Sequence, residues 1–218
     1  MYEPRKATTP SRHAERAAYD EKTVHEILDE ALLCHVAFVA NDHPQVLPML
    51  LVRIGSTAYF HTSTGSPMAR TAAKTGAVDI TLEVSILDAL VLARSAFHHS
   101  ANYRSVIAHG EATLVRSEQA KREVLDALME KLLPGRSGVV RPPASDELRR
   151  TAILALELTQ VSAKVRTGPP ADDPDDVALG CWAGLVPMSE IRLTPVPSPD
   201  LAQGIEVPSC LRADVAGD

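Results

Sequence analysis

The segment "ARSAFHHSANYRSVIAHGEA", residues 93–112, sets two adjacent histidines a few residues before an arginine–serine pair, on what reads as a strand. Such residues serve three chemistries: metal ligation, histidine acid–base work, or one wall of a pocket for an anion. Adjacent strand residues point to opposite faces, so His98 and His99 share one metal only if the chain turns there. None of the eight histidines is spaced H-x-H, H-x3-H or HExxH, and no carboxylate cluster accompanies the pair in the chain. Spacing therefore argues against a metal. GxSxG, P-loop and GxGxxG patterns are absent too, which removes the usual serine-nucleophile and nucleotide-loop signatures. A turn or a pocket wall is left for the histidines.

Anion binding has two stronger signals. In "HTSTGSPMAR", residues 61–70, Ser66 suits a helix N-cap and Pro67 the first helical position. A helix start offers free N–H groups and the positive end of the macrodipole. Gly65 lets a ligand approach the backbone, Thr62, Ser63 and Thr64 add hydroxyls, and Arg70 lies one turn on. The second signal is Arg94, Arg104, Lys164 and Arg166, cations inside strand-like runs of an acidic chain, with Ser105 beside Arg104. The plain alternatives are an ordinary capped helix and solvated strand arginines. Trp182, the only tryptophan, is expected in packing, in the core or at a dimer interface.

The elements that must position these residues follow from periodicity. Residues 1–21 are polar and aperiodic and read as a flexible arm. Thr23-x-x-Glu26 has capping-box form, and Val24, Ile27, Leu28, Ala31 and Leu32 recur at helical spacing, predicting a helix over about 23–33. From Cys34 the period becomes two, and three short runs broken at Asn41-Asp42 and Gly55-Ser56 predict antiparallel strands. A short helix from Ser66 to a Gly76 stop follows, with Lys74 in its last turn. "VDITLEVSIL", 89–95 and 103–115 read as three further strands, and Ser117 caps a long amphipathic helix ending at Pro134-Gly135. "TAILALELTQVSAKVR" and "CWAGLVPMSEIRL" are the closing strands, separated by an acidic loop, and from Thr194 the chain is a Pro-rich tail. Strands with inserted helices predict an α+β closed or split barrel.

Composition bounds the function. A chain of 218 residues with 45% apolar and 23% charged residues suits one soluble domain. A net charge of −6 argues against nucleic acid as a partner. Three cysteines without a CxxC point to a reducing cytoplasm, and no apolar run is long enough to span a membrane.

Residues 91–115, "VLARSAFHHSANYRSVIAHGEATLV", followed in order by "PGR", "SAKVRTGPPADD" and "CWAGLVP", resemble the pyridoxamine 5′-phosphate oxidase-like FMN-binding split-barrel superfamily. The match is to its flavin-nucleotide-binding branch, related to the 5-nitroimidazole reductases, and covers about Lys22 to Pro195. The resemblance implies an antiparallel split β-barrel domain over 22–195 with inserted helices, and a tail over 196–218. It also implies a homodimer holding FMN in clefts between the barrels, with FAD as the variant. Pro48, Met49, Leu50 and Leu51 would lie along the isoalloxazine edge. His61, Thr62, Ser63, Ser66 and Arg70 would hold the phosphate, and Arg104 and Ser105 would add contacts; beside what the resemblance implies, Lys164 and Arg166 are the reserve cations for the phosphate and Trp182 is a further candidate. The implied activity is an FMN-dependent oxidoreductase acting on a small organic substrate. The alternatives are a non-catalytic flavin sensor or store, or a binder of haem or a deazaflavin. Three departures stand out. Pro67-Met68 replace the basic pair that usually follows the serine, the C-terminal substrate-binding Trp/Arg segment has no counterpart, and Ala89 replaces a turn glycine.

Overall fold

The structure, a computed structural model, describes residues 1–211. Its centre is a ring of antiparallel strands: β2 (Leu33–Ala40), β3 (His43–Ile54), β4 (Thr57–Ser63), β5 (Ala77–Leu92), β6 (Ser100–Leu114) and β7 (Thr151–Glu157). The ring runs β2-β3-β4-β7-β6-β5 and closes where β5 pairs back onto β2. Outside the ring, β8 (Gln160–Arg166) pairs with the first half of β6, β1 (Ala17–Ala18) pairs with β8, and β9 (Gly184–Pro187) pairs with the end of β5. Strand alternation fills the barrel from within: Val36, Phe60, Leu82, Val106 and Leu154 are buried together.

Two helices close the barrel's ends. In α1 (Glu21–Glu30), Val24, Ile27 and Leu28 are buried at helical spacing. The expected cap was Thr23, but Asp20 takes that role, its carboxylate accepting from the Thr23 amide at 2.8 Å, so the helix begins earlier. It ends at Ala31, which is extended. Helix α2 (Pro67–Thr75) has the ends its sequence predicts: the Ser66 hydroxyl accepts from the Ala69 amide, and Gly76 takes a φ of 95°. Because α2 leads into the start of β5, which pairs with the end of β6, α1 and α2 sit at opposite ends of β6. A third helix, α3 (Glu118–Leu132), covers the outer face of β3, β4 and β7 through Val124 and Leu128, against Val52, Tyr59 and Ile153.

Other expectations are corrected. The two strands predicted over 78–95 are one 16-residue strand, and Asp88 is the extra residue of a bulge between Leu87 and Ala89. Ala89 is therefore a buried strand residue, not part of a turn. Helices α4 (Ser145–Arg150) and α5 (Pro174–Val177) are too short to leave a periodic signature. The N-terminal segment lies against the domain: Tyr2 is buried and its hydroxyl meets His25 Nε2 at 2.9 Å. Along the tail, residues 188–208 form no helix or strand, and residues 212–218 of the predicted tail lie outside the described residues.

Lys131, near the end of α3, ties two helices together. Its Nζ donates to the carbonyls of Leu28 and Ala31 at 2.8 and 2.6 Å, at the C-terminal end of α1. Burial pushes its ammonium down to about 8. A lysine depressed on folding costs stability below its folded value and is relieved as pH rises towards its unfolded value of about 10.4. Urea midpoints of wild type relative to Lys131→Met should therefore climb between about pH 8 and 10. A pH-independent difference would mean the amine stays charged throughout.

Candidate functional site

The barrel is split beside the residues expected to bind an anion. Strands β3 and β4 pair only from Leu51↔Phe60 to Ile54↔Thr57. Beyond that they part: β3 continues back along β2 through Leu50, Met49 and Pro48, while β4 continues along β7 through His61, Thr62 and Ser63. Among the described residues, the β3 backbone over 43–50 thus has β2 on one side and no strand on the other, leaving alternate amides and carbonyls open to a ligand. Met49 and Leu51 face the core, while Pro48 is exposed and Leu50 leans on the α3 cluster.

Across the split, Ser63 and Ser66 shape the loop into α2. The Ser63 hydroxyl accepts from the Gly65 amide at 3.2 Å, and its carbonyl accepts from the Ser66 amide at 3.0 Å. Burial lowers the His61 imidazole below its ordinary value, so it is neutral near pH 7 and contributes no charge. Its Nδ1 is buried without a partner among the described residues. Arg70 is the cation here: it is exposed, and its guanidinium has no hydrogen-bond or ion-pair partner among the described residues. An uncommitted arginine one turn into a helix that starts at the split is equipped to meet a phosphate.

The remaining cations lie elsewhere. Arg104 shares the interior face of β6 with buried Val106 and Ala108, near the end closed by α1. Its Nε and Nη2 donate to Asp88, at 3.1 and 2.7 Å, and Nη2 donates to Glu30 at 2.7 Å while Nη1 reaches the other Glu30 oxygen. Ser105, one residue on, faces the opposite way, paired with Ser85 and Lys164. Lys164 donates to the Arg12 carbonyl at 3.1 Å, Arg166 to Asn102 Oδ1, and Arg94 to the buried carboxylate of Asp172 at 2.8 Å. Thr113, beside the start of β5, lies nine positions along β6 from Arg104, roughly 30 Å of strand. One chain therefore does not bring Arg104 to Ser66 and Arg70. The carboxylates that occupy Arg104 were invisible to sequence reasoning, since Glu30 is 74 residues away and Asp88 faces it only through the bulge.

His98 and His99 lie on the β5–β6 turn, as expected, His98 ending a 3-10 turn (Ala96–His98) and His99 following it, with both Nδ1 atoms 2.9 Å from Ser95: His98 to its hydroxyl, His99 to its carbonyl. Trp182, expected in the core or at a dimer interface, lies outside this chain's core: it is 67% exposed, its ring against Gly184. An apolar hollow in the tail, lined by Pro195, Leu201, Val207 and Leu211 among others, contains none of the candidate residues.

Comparison with known proteins agrees with this architecture. The flavocytochrome Anf3 from Azotobacter vinelandii superposes with a TM-score of 0.90 at 36% identity, over 100% of both chains. A FAD and haem binding protein from Mycobacterium smegmatis gives 0.85 at 34% identity, covering 92% of this chain and 97% of that one. No curated protein matches the sequence. The model of the pyridoxamine 5′-phosphate oxidase family matches residues 20–165, from the cap of α1 to the end of β8. With the split barrel and two full-length likenesses beside that match, the chain belongs to the pyridoxamine 5′-phosphate oxidase family.

Proposed function

We propose that the protein binds a flavin nucleotide, FMN or FAD, at the β3–β4 split and uses it as the redox centre for a small organic substrate. The observation that carries this reading is the uncommitted Arg70 at the start of α2, across the split from the open β3 edge. The two full-length neighbours, a flavocytochrome and a FAD and haem binding protein, support it. The residues fit the group: Arg70 and the α2 start would hold the phosphate, and the β3 backbone at 48–51 would lie along the ring edge. The flavin supplies the electron-transfer chemistry, while the protein binds, orients and shields it. His61, neutral and partly buried, adds a polar contact without charge.

The cleft is completed by a second copy of the chain in this reading. Helix α3 covers only the β3–β4–β7 side of the barrel. On the outer face of β2, β3 and β6, Leu33, Val39, Val46 and Ile107 remain between 39 and 64% exposed. An isologous pair would cover that face and carry Ser105 and Lys164 towards the partner.

The visible spectrum of the purified protein tests the cofactor. Bands near about 370 and 450 nm, with FMN or FAD released on denaturation, are expected. Both neighbours' names pair a flavin with a haem or cytochrome, so a further Soret band would place this chain with them. A colourless protein that takes up neither FMN nor FAD would overturn the reading.

A further inference from the structure

The folded chain answers the histidine question differently from its spacing. The acidic loop "ADDPDD", residues 171–176, folds back onto the β5–β6 turn. It is fastened there by Asp172, whose carboxylate accepts from the Arg94 amide and guanidinium at 2.7 and 2.8 Å. Beside that pair, a ring nitrogen of His98 and one carboxylate oxygen each from Asp173 and Asp176 lie within 4.8 Å of one another. More than 70 residues of chain separate the histidine from the aspartates, so no spacing motif records the group.

Each member keeps a ligand atom without a competing partner among the described residues. Asp173 occupies the N-cap position of α5 yet makes no side-chain capping bond. Among the described residues neither Asp173 nor Asp176 has a cation in ion-pair contact, because Arg94 is neutralised by Asp172. The Ser95 hydroxyl engages His98 Nδ1 and fixes the ring, which leaves Nε2 as the nitrogen open to a metal. Two carboxylates held together without a counter-charge repel, and a divalent cation removes that repulsion while satisfying the imidazole.

We infer that His98, Asp173 and Asp176 form a site for a borderline divalent metal ion of the Zn²⁺ class. One imidazole and two carboxylates suit such an ion better than Mg²⁺, which prefers oxygen ligands and keeps its waters. Three protein ligands leave further coordination positions to solvent, the arrangement of an open site. The site lies on the β5–β6 turn and its ligands belong to neither candidate group at the flavin cleft, so it stands apart from the flavin reading.

Calorimetric titration of Zn²⁺ into chelator-treated, flavin-loaded full-length protein tests it. One equivalent per chain should bind, with Mg²⁺ failing to compete at tenfold excess. Asp176→Asn and His98→Gln should each weaken Zn²⁺ at least tenfold and leave the visible spectrum and melting temperature without added metal unchanged. Cys181, whose thiol approaches the Arg94 carbonyl, is the adventitious ligand to control. Binding lost in Cys181→Ser but retained in Asp176→Asn and His98→Gln overturns the assignment. So does the absence of Zn²⁺ binding up to about millimolar concentration.

Discussion

Arg70→Ala is expected to weaken FMN and FAD binding roughly 10- to 150-fold while changing riboflavin binding by less than about threefold. The range follows from one charge-assisted hydrogen bond, about 1.5–3 kcal/mol, made to a phosphate that riboflavin lacks. What makes the measurement clean is the state of the side chain. Arg70 is exposed and has no partner among the described residues, so truncating it costs the fold no more than about 0.5 kcal/mol. Any loss of affinity then belongs to the ligand. Arg70→Lys should fall between, keeping the charge but losing the planar fork. Titration of FMN and riboflavin against the three proteins checks this, and equal losses for the two ligands would remove Arg70 from the phosphate site.

How far such a site can be read from sequence depends on how local its causes are. Helix α2 was legible because each end is fixed by its own residues: Ser66 and Pro67 at the start, Lys74 and Gly76 at the stop. The strands were legible because alternation reports burial directly, as in Val78, Ile80, Leu82 and Val84. The α1 cap was misplaced because Asp20 and Thr23 both have capping chemistry, and only geometry decides which reaches a free amide. Alternating strands with inserted helices already predict the barrel, the family resemblance adds Ser66 and Arg70 as candidates for one end of the site, and the β3–β4 register gives the reason that end is open. Pairing across the fold was not legible. Asp88 faces Arg104 because a bulge turns it inward, and Asp173 meets His98 because Arg94 anchors the acidic loop.

Arg104 illustrates that limit, and its expected effect is on stability. Sequence reasoning set it beside Ser105 as a phosphate ligand, but strand alternation puts the two on opposite faces, and Arg104 is chelated by Asp88 and Glu30. Hydrogen bonds to Glu30 first, and to Asp88, raise the guanidinium's already high value, so it is charged at every accessible pH. Arg104→Ala would leave two carboxylates facing one another at the α1 end of the barrel. The Glu30 side chain is 51% exposed and its share is screened by solvent, so most of the cost comes from Asp88. A total of about 1.5 kcal/mol is expected near pH 7.

The pH dependence identifies the cause. The Arg104 hydrogen bond lowers the Glu30 carboxyl below its ordinary value. A depressed carboxylate contributes stability that is present above its unfolded value of about 4.3 and is lost as pH falls through the folded value. The deficit of Arg104→Ala should therefore be largest at neutral pH, and Glu30's share of it should be lost on acidification below about 4 as that carboxyl protonates. Thermal melts of wild type and variant at pH 7 and pH 3.5, without flavin, read this directly. FMN and riboflavin affinities of the folded variant should fall together or not at all. A selective loss of FMN, with melting unchanged at both pH values, would instead mean that Arg104 leaves its carboxylates for the phosphate when the flavin is bound.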